Sequence, residues 1–463
     1  MMLLAFERER RVTCVAQDLT RGRPFPVLLR FALPAIGGSL FQLFYTLADT
    51  VIVGRTLGAD ALAAVGATNT VIYFVLCFIQ GMTGGFGICM GQRCGAGDLR
   101  GMKKSAAAAW TLSAILTLVL TIAGCALCRP SLSWMRTPDE IMDMANDYMF
   151  VVLLGTGTTV FYNLISNLLR ALGDSRTPLV FLVLCSLLNV ALDIVFIVPL
   201  RMGVAGAAWA TVLSQLLAFL LSTLVGVRRF EALRLRRADF FRLGHAARVN
   251  LKVGFPMGLQ MSVMCIGQLA IQVAINGLGP AAIAGSTAGA KVNQFADLVD
   301  NAFGIAISAF VAQNYGAGRP DRIRSGVRAG LLQTGAANVL MGALIIVLRG
   351  AAASWFVSDP SADITAYTAD FLLAVAVCYP LLGILQTFRS SIQSMGNGAV
   401  PFGACIVELL MRLLAAAVLV PRIGYAGVCL AHPLAWIGAV ALLTPSYFFV
   451  IRRRTAEAAQ AKE

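Results

Sequence analysis

The sequence predicts an all-α integral membrane protein with twelve transmembrane helices in two six-helix lobes. Three observations predict this fold: long apolar runs, basic residues confined to alternate connecting segments, and an internal repeat. Hydrophobic residues make up 58% of the 463 residues and charged residues only 13%, with a mean hydropathy of +0.78. A soluble protein carries about a quarter charged residues, so most of this chain cannot face water.

The apolar runs are long enough to cross a bilayer. A helix of about 20 apolar residues spans a hydrocarbon core of roughly 30 Å. Twelve runs meet this length and are numbered here as spans 1 to 12: residues 27–53, 61–92, 105–128, 145–169, 178–200, 203–227, 253–277, 282–314, 326–348, 364–388, 400–420 and 424–451.

The net charge of +14 is distributed unevenly. Most lysines and arginines lie in alternate connecting segments, notably residues 228–252 and the stretch Arg452 to Arg454. This positive-inside bias predicts a multi-pass protein of the plasma (inner) membrane with both termini in the cytoplasm. A nucleic-acid-binding protein would instead carry its basic residues on a folded polar surface. We therefore expect a lipid bilayer around the chain, no nucleic-acid partner, and function as a monomer.

Short motifs recur in the same order in the two halves of the chain. Residues 92–97 (QRCGAG) end span 2, and residues 313–318 (QNYGAG) end span 8. Residues 173–178 (GDSRTP) follow span 4, and residues 396–401 (GNGAVP) follow span 10. Each half has an even number of spans, so both halves enter the membrane from the same side. Such parallel repeats are related by a pseudo-two-fold axis along the membrane normal.

The repeat and the charge pattern together predict the domain organisation. The expected parts are a cytoplasmic N-terminal segment (1–25), an N-lobe of helices 1–6 (26–227), a cytoplasmic lobe linker (228–252), a C-lobe of helices 7–12 (253–451) and a cytoplasmic tail (452–463).

A few acidic residues lie inside the apolar runs. A charge at membrane depth costs a few kcal/mol or more, so such residues are functional candidates. Asp49 lies in span 1, and Asp193 lies in span 5 one helical turn after Asn189. Two carboxylates in one dry pocket suit the uptake and release of H⁺ or Na⁺. The alternative is that each aspartate caps a helix or satisfies its neighbours.

Two further groups of acids lie in the second half. Glu408 and Arg412 in span 11 are four residues apart, which suits a neutralising pair within one helix. That pair is either structural or part of a second site. Asp297 and Asp300 in span 8 are ambiguous from sequence alone.

Enzyme motifs are missing from the sequence. It lacks the GxxxxGK[ST] phosphate-binding loop, so ATP is not expected to drive the protein directly. Residues 84–87 (GGFG) lie inside a span and suit helix packing. His245 and His432 are far apart, and Cys125 and Cys128 form a single CxxC pair that suits small apolar helix residues or a redox role. We expect no enzyme activity and no organic or metal cofactor.

Six short segments follow one another in a specific order and spacing: 31–34 (FALP), 49–55 (DTVIVGR), 57–66 (LGADALAAVG), 92–97 (QRCGAG), 170–174 (RALGD) and 203–208 (GVAGAA). With these segments the chain resembles, over nearly its whole length, the multidrug and toxic compound extrusion (MATE) family. This resemblance implies twelve helices in two lobes, and export of drugs and other organic compounds in exchange for H⁺ or Na⁺.

The first half is most similar to the DinF-like branch of this family. The resemblance implies a cation-coupling cluster in the first lobe, made of Gln42, Asp49, Tyr148, Asn163, Asn189, Asp193 and Thr211. Na⁺, if it is the coupling ion, would bind at Asp49 and Asp193. The chain departs from the sodium-driven branch, which has a glutamate in span 7, because residues 260–265 (QMSVMC) hold no acid. Glu408, with Arg412, remains the secondary candidate.

The leading functional hypothesis is therefore a secondary active antiporter. It would export organic, cationic or amphipathic small molecules by alternating access. The first alternative is a flippase for a lipid-linked precursor or polysaccharide, disfavoured because the spans hold few basic residues, chiefly Lys291 and Arg412. The second alternative is a membrane enzyme, disfavoured by the missing motifs.

Overall fold

The computed structural model describes residues 16–356 and 361–460, without the side chains of residues 44–51, 59 and 456–460. The described backbone is helical and contains no β-strand. The helices of the twelve spans, two of which are broken, run in chain order Pro24–Leu57, Ala59–Gly95, Leu99–Trp134, Asp139–Leu154 with Thr156–Ala171, Arg176–Ile197, Gly203–Arg229, Gly244–Asn276, Pro280–Gly316, Pro320–Leu348, Ala362–Ser394, Ala399–Leu414 with Val420–Ile423, and Tyr425–Gln460.

The length and composition of these helices confirm the predicted membrane fold. Among the described residues, eleven helices are long and apolar enough to cross a bilayer, and a bent pair supplies the twelfth span. Several helices extend beyond the apolar runs. Span 7, for example, starts at Gly244, inside the basic segment that follows span 6. Short 3₁₀ turns at Glu231–Leu233 and Arg237–Phe240 occupy the rest of that segment.

Span 4 is broken at Gly155, where its two helices meet at 44°. A side chain at this position would place its Cβ 2.8 Å from Cγ1 of Val212 on span 6. Only glycine allows so close an approach. The break puts Tyr148 and Asn163, two of the predicted cluster residues, on different helical segments.

The repeated motifs correspond to repeated backbone turns. Gly97 after span 2 and Gly318 after span 8 have φ angles of +68° and +64°. Gly173 after span 4 and Gly396 after span 10 have φ angles of +85° and +84°. L-residues other than glycine rarely adopt these angles. The repeat therefore records the turns that end corresponding helices.

The contacts between residues divide the chain into two compact units. Unit 1 contains residues 37–258 together with the segment up to Leu19, and unit 2 contains residues 20–36 and 259–463. Spans 1 and 7 each contribute one part of their helix to each unit. The predicted lobe boundaries place each of these helices whole in one lobe, and that assignment stays a prediction.

Unit 1 is held together by close helix packing around a buried core that includes Phe86 and Leu168. A Cβ on Gly85 of span 2 would lie 2.7 Å from the backbone nitrogen of Gly254 at the start of span 7. The prediction that the glycines at 84–87 serve helix packing is thus confirmed. In the same unit, the Asn250 amide donates to the backbone oxygen of Ser105.

Unit 2 holds the first part of span 1 through backbone contacts. The Arg319 guanidinium donates to the carbonyl oxygen of Thr20 at 2.8 Å, and that of Arg322 to Gly22 at 2.7 Å. The Gln333 amide donates to the carbonyl oxygen of Phe25 at 2.6 Å. These bonds explain why residues 20–36 belong to unit 2.

Candidate functional site

The predicted cluster of the first lobe centres on Asp193 in span 5. This aspartate has 0% of its surface exposed, although it lies within a run of apolar residues. Asn189, one turn earlier, is also buried, and its amide nitrogen lies 3.3 Å from the Thr211 hydroxyl of span 6, to which it donates. The structure therefore brings three of the predicted residues, from spans 5 and 6, to one buried region.

The amide oxygen of Asn189 has no hydrogen-bond partner among the described residues. A buried polar atom without a partner costs about 1–3 kcal/mol. An unsatisfied buried polar group needs an explanation, and a bound ion that takes this oxygen as a ligand is one. This oxygen and the Asp193 carboxylate are one helical turn apart on the same face.

The two predicted members from span 4 are half-buried and differ in their partners. Tyr148 packs against the apolar groups of spans 5 and 6, including Ile197 and Val212. The Asn163 amide donates to the carbonyl oxygen of Thr159 at 2.9 Å, within its own helix. The Thr159 hydroxyl in turn donates to the side-chain oxygen of Gln215 on span 6. Spans 4 and 6 are thus joined by a polar contact near the predicted cluster.

The span 1 members are only partly described. Gln42 has an exposed side chain. The backbone of Asp49 is helical, but its side chain lies outside the described residues. The pairing of Asp49 with Asp193 therefore stays a prediction.

Unit 2 contains a buried ionic triad around Glu408. Its carboxylate is contacted by the Arg389 guanidinium of span 10 and lies 3.6 Å from Nη2 of Arg412, one turn further along span 11. All three side chains are buried. The predicted Glu408–Arg412 pair is therefore present, but it is part of a three-residue group.

Sequence reasoning missed Arg389. The predicted span 10 ends at residue 388, just before this arginine, whereas the helix of span 10 continues to Ser394 and buries Arg389. Polar groups from span 7 lie beside the triad: Met264 contacts Arg389 through its sulfur, and Gln260 accepts a hydrogen bond of 2.7 Å from Gln393. A clue in the sequence was the polar stretch around Arg389, which is too rich in serine and glutamine for a lipid-facing helix end.

Carboxylates buried within membrane-spanning helices, such as Asp193 and Glu408, are typical of membrane transporters. The MatE family model matches residues 34–195 and 256–418 of this chain. The two matched segments cover most of the sequence. The chain therefore belongs to the MATE family of multidrug efflux transporters, and is a transporter rather than an enzyme.

Curated relatives agree with this family. A probable multidrug resistance protein, YpnP of Bacillus subtilis (strain 168), is 30% identical over 385 residues, which cover 82% of this chain and 85% of that protein. The probable multidrug resistance protein NorM of Thermotoga maritima is 27% identical and covers 89% of this chain and 88% of its own length. An FAD transporter of Shewanella oneidensis is 26% identical, covering 84% and 87%.

Solved structures agree in fold. An outward-facing multidrug resistance MATE transporter of the MOP superfamily superposes with a TM-score of 0.89 at 24% identity, covering 96% of this chain and 100% of that one. A MATE protein in complex with MaL6 superposes with a TM-score of 0.88 at 24% identity, covering 95% and 99%.

Proposed function

We propose that this protein is a secondary active antiporter that exports organic, cationic or amphipathic compounds in exchange for H⁺ or Na⁺. The observation that carries the proposal is the complete burial of Asp193 within an apolar span, beside an amide oxygen of Asn189 for which the described residues supply no hydrogen-bond donor. An ionised carboxylate in that position is costly unless a cation neutralises it. Cation binding and release there can drive a change of packing between the spans that contact it.

The proposed cycle follows from this cost. With a cation bound at Asp193, spans 5 and 6 pack around a neutral group. When the cation leaves, the charge must be hydrated, so water or substrate must reach the region. The two states thus differ in access, which is the requirement of alternating access. Asp49, Gln42, Tyr148, Asn163 and Thr211 complete the proposed cation-coupling cluster.

The sequence also supports the proposed membrane location and orientation of the chain. The positive-inside bias supports a plasma (inner) membrane location with both termini in the cytoplasm. Each chain carries its own Asp193 region, so a monomer is the proposed functional form.

Transport into proteoliposomes tests the proposal. The purified chain is reconstituted, a ΔpH or a Na⁺ gradient is imposed, and ethidium movement is followed by fluorescence. We expect Asp193→Asn and Asp49→Asn each to reduce gradient-driven transport at least tenfold, while ethidium binding persists. Asp143→Asn is the matched control, because its carboxylate is exposed and its ion pair with the exposed Arg129 contributes little.

The outcomes separate the hypotheses. If only a ΔpH drives ethidium transport, the coupling ion is H⁺. If only a Na⁺ gradient drives it, the coupling ion is Na⁺. Full gradient-driven transport in both aspartate variants would refute the coupling role. Binding of a lipid pyrophosphate, without binding of ethidium, would favour the flippase alternative.

A further inference from the structure

Unit 2 contains a second buried acidic group, separate from the ionic triad. Asp297 and Asp300 lie near the middle of the 37-residue helix of span 8. Asp300 has 3% of its surface exposed, while Asp297 is exposed. A carboxylate at mid-span almost always faces a bundle interior or water rather than lipid. The exposed Asp297 therefore marks a face that water reaches.

The two carboxylates accept hydrogen bonds from amides of two helices, and a tyrosine of a third helix orients one of these amides. The Asn338 amide of span 9 donates to Oδ1 of Asp300 at 2.7 Å. The Asn293 amide, one turn before Asp297, donates to Oδ2 of Asp297 at 3.0 Å. The Tyr379 hydroxyl of span 10 donates to the side-chain oxygen of Asn293 at 3.0 Å. The donors thus fix the orientation of both carboxylates.

Within the part of the chain that the structure describes, one buried carboxylate oxygen of this group has no hydrogen-bond partner. Oδ2 of Asp300 is buried and has no hydrogen bond among the described residues. Since Asn338 occupies Oδ1, the second oxygen is the one available to a ligand. A buried carboxylate oxygen with no partner is costly in its ionised form and is satisfied when it gains a proton or a cation.

Packing keeps the donor in place. A Cβ on Gly383 of span 10 would lie 2.7 Å from the amide nitrogen of Asn338. The glycine therefore leaves the space that this amide occupies beside Asp300. Thr334, one turn before Asn338, has its hydroxyl 3.3 Å from that of Thr387 on span 10. Spans 8, 9 and 10 form one polar junction.

The charges of the surrounding helices leave one negative charge unbalanced. Arg412 of span 11 acts electrostatically on Asp297 and on His432 of span 12. The groups that spans 9 and 10 contribute through described hydrogen bonds are uncharged: Asn338 donates to Asp300, and the Tyr379 hydroxyl donates to Asn293. The triad supplies two arginines and one glutamate. The triad and the two aspartates together contain two arginines and three carboxylates, so their net charge is −1 and one proton neutralises it. Lys291 is exposed and lies nearly two turns from Asp297 on span 8.

The arrangement of donors favours a proton over a metal cation. Both amides direct an N–H toward a carboxylate, and the oxygen of Asn293 already accepts from Tyr379. Hard metal cations gather several oxygen ligands at once. A proton needs one free oxygen, and Oδ2 of Asp300 is one.

We propose that unit 2 carries its own proton-binding site at Asp300, reached through Asp297. Asp300 gains a proton at Oδ2 and becomes a neutral carboxylic acid, and it returns the proton to Asp297 and then to water. This inference rests on the proposed antiport, to which it adds a second coupling group and H⁺ as a coupling ion.

Infrared difference spectroscopy on the purified full-length protein tests the site. Difference spectra between about pH 6 and about pH 9, a range above the pKa of roughly 3.9 of an exposed aspartate, show the carbonyl stretch only of carboxyl groups that gain a proton within that range. We expect Asp300→Asn to lose one such band, and Asp370→Asn, which changes an exposed aspartate of span 10, to keep all of them. An Asp300→Asn spectrum identical to that of the wild type would overturn the proposal.

Two further arms keep the test decisive. Asn338→Leu leaves Asp300 in place but removes the donor to Oδ1, so the frequency of the same band should shift; an unchanged frequency would contradict the assignment. Replacing KCl by NaCl at fixed pH should leave the band unchanged, and its loss in Na⁺ alone would overturn the choice of a proton.

The failure of this inference is distinguishable from failure of the proposed function. Asp193→Asn should lose a different band and should lose gradient-driven ethidium transport. If Asp193→Asn transports normally while Asp300→Asn loses its band, the proposed coupling at Asp193 fails and the site in unit 2 stands. If Asp193→Asn loses transport while the Asp300→Asn spectrum matches that of the wild type, the coupling at Asp193 stands and the site in unit 2 fails.

Discussion

Nη1 of Arg229, the last residue of the span 6 helix, lies 3.0 Å from Oδ2 of Asp174, which precedes span 5. The same carboxylate accepts hydrogen bonds from the backbone nitrogens of Arg176 and Thr177 and from the Thr177 hydroxyl. One buried side chain thus starts the helix of span 5 and ties it to the end of span 6.

Asp174→Ala should therefore destabilise unit 1. The change removes the hydrogen bonds that start a helix and an ion pair whose arginine is 32% exposed, so Arg229 recovers some hydration. We expect a loss of about 2 kcal/mol, below the 3–5 kcal/mol of a fully buried broken pair. Thermal unfolding in detergent measures the change. Asp239→Ala is the control, since it removes an exposed cap in the linker; equal unfolding temperatures for the two variants would contradict the prediction.

The second prediction concerns the triad of Arg389, Glu408 and Arg412. Glu408→Gln leaves two buried guanidinium groups without a counter-charge, so we expect a loss of about 3–5 kcal/mol. Arg412→Met leaves the Arg389–Glu408 pair intact and should cost clearly less. The unfolding temperature of each purified variant provides the comparison.

Rescue and transport measurements identify the role of Glu408. If the role is structural, combining Glu408→Gln with Arg389→Gln should recover part of the lost stability, because one unpaired charge is removed. A Glu408→Gln variant that unfolds like the wild type but no longer couples ethidium transport to a gradient would instead assign a coupling role to this residue.

The third prediction compares two adjacent glycines of span 2. Gly85→Ala places a methyl group 2.7 Å from the backbone nitrogen of Gly254, which cannot move away as a flexible side chain can. Overpacking of this kind costs about 1–3 kcal/mol. Gly84→Ala is the matched control, because its nearest neighbour is the terminal methyl of Met257 at 3.6 Å. Similar unfolding temperatures for the two variants would show that spans 2 and 7 do not pack as described.

The fourth prediction concerns orientation in the membrane. The positive-inside bias predicts that the C-terminus is cytoplasmic and that the turn after span 3, next to the 91%-exposed Trp134, is outside. In spheroplasts, added protease should cleave a tag inserted at residues 136–137 but should spare a tag at the C-terminus. The opposite pattern of cleavage would reverse the topology.

The presence of each membrane-spanning helix was predictable, because hydropathy depends only on the local sequence. Twelve apolar runs gave twelve spans, and the repeated glycines marked turns with matching φ angles. The break of span 4 at Gly155 was not predictable in the same way. It depends on contact with Val212, which lies two spans later in the chain.

In the candidate sites, too, contacts within one helix were predictable from the sequence and contacts between helices were not. Spacing along one helix revealed Asn189 beside Asp193 and Glu408 beside Arg412, because residues four apart share a helix face. Spacing could not pair Arg389 with Glu408 or Asn338 with Asp300, because these partners lie on different helices.

The sequence by itself determined that this chain is a membrane protein of twelve helices, that it belongs with the MATE transporters, and which carboxylates lie at membrane depth. Apolar runs, turn glycines and isolated charges are local signals, and each can be recognised from neighbouring residues in the sequence. Only the tertiary structure decided which of those charges are balanced. Glu408 is balanced by two arginines, whereas Asp300 keeps one oxygen without a described partner. The reason is that electrostatic balance depends on distances between helices, which sequence spacing does not contain.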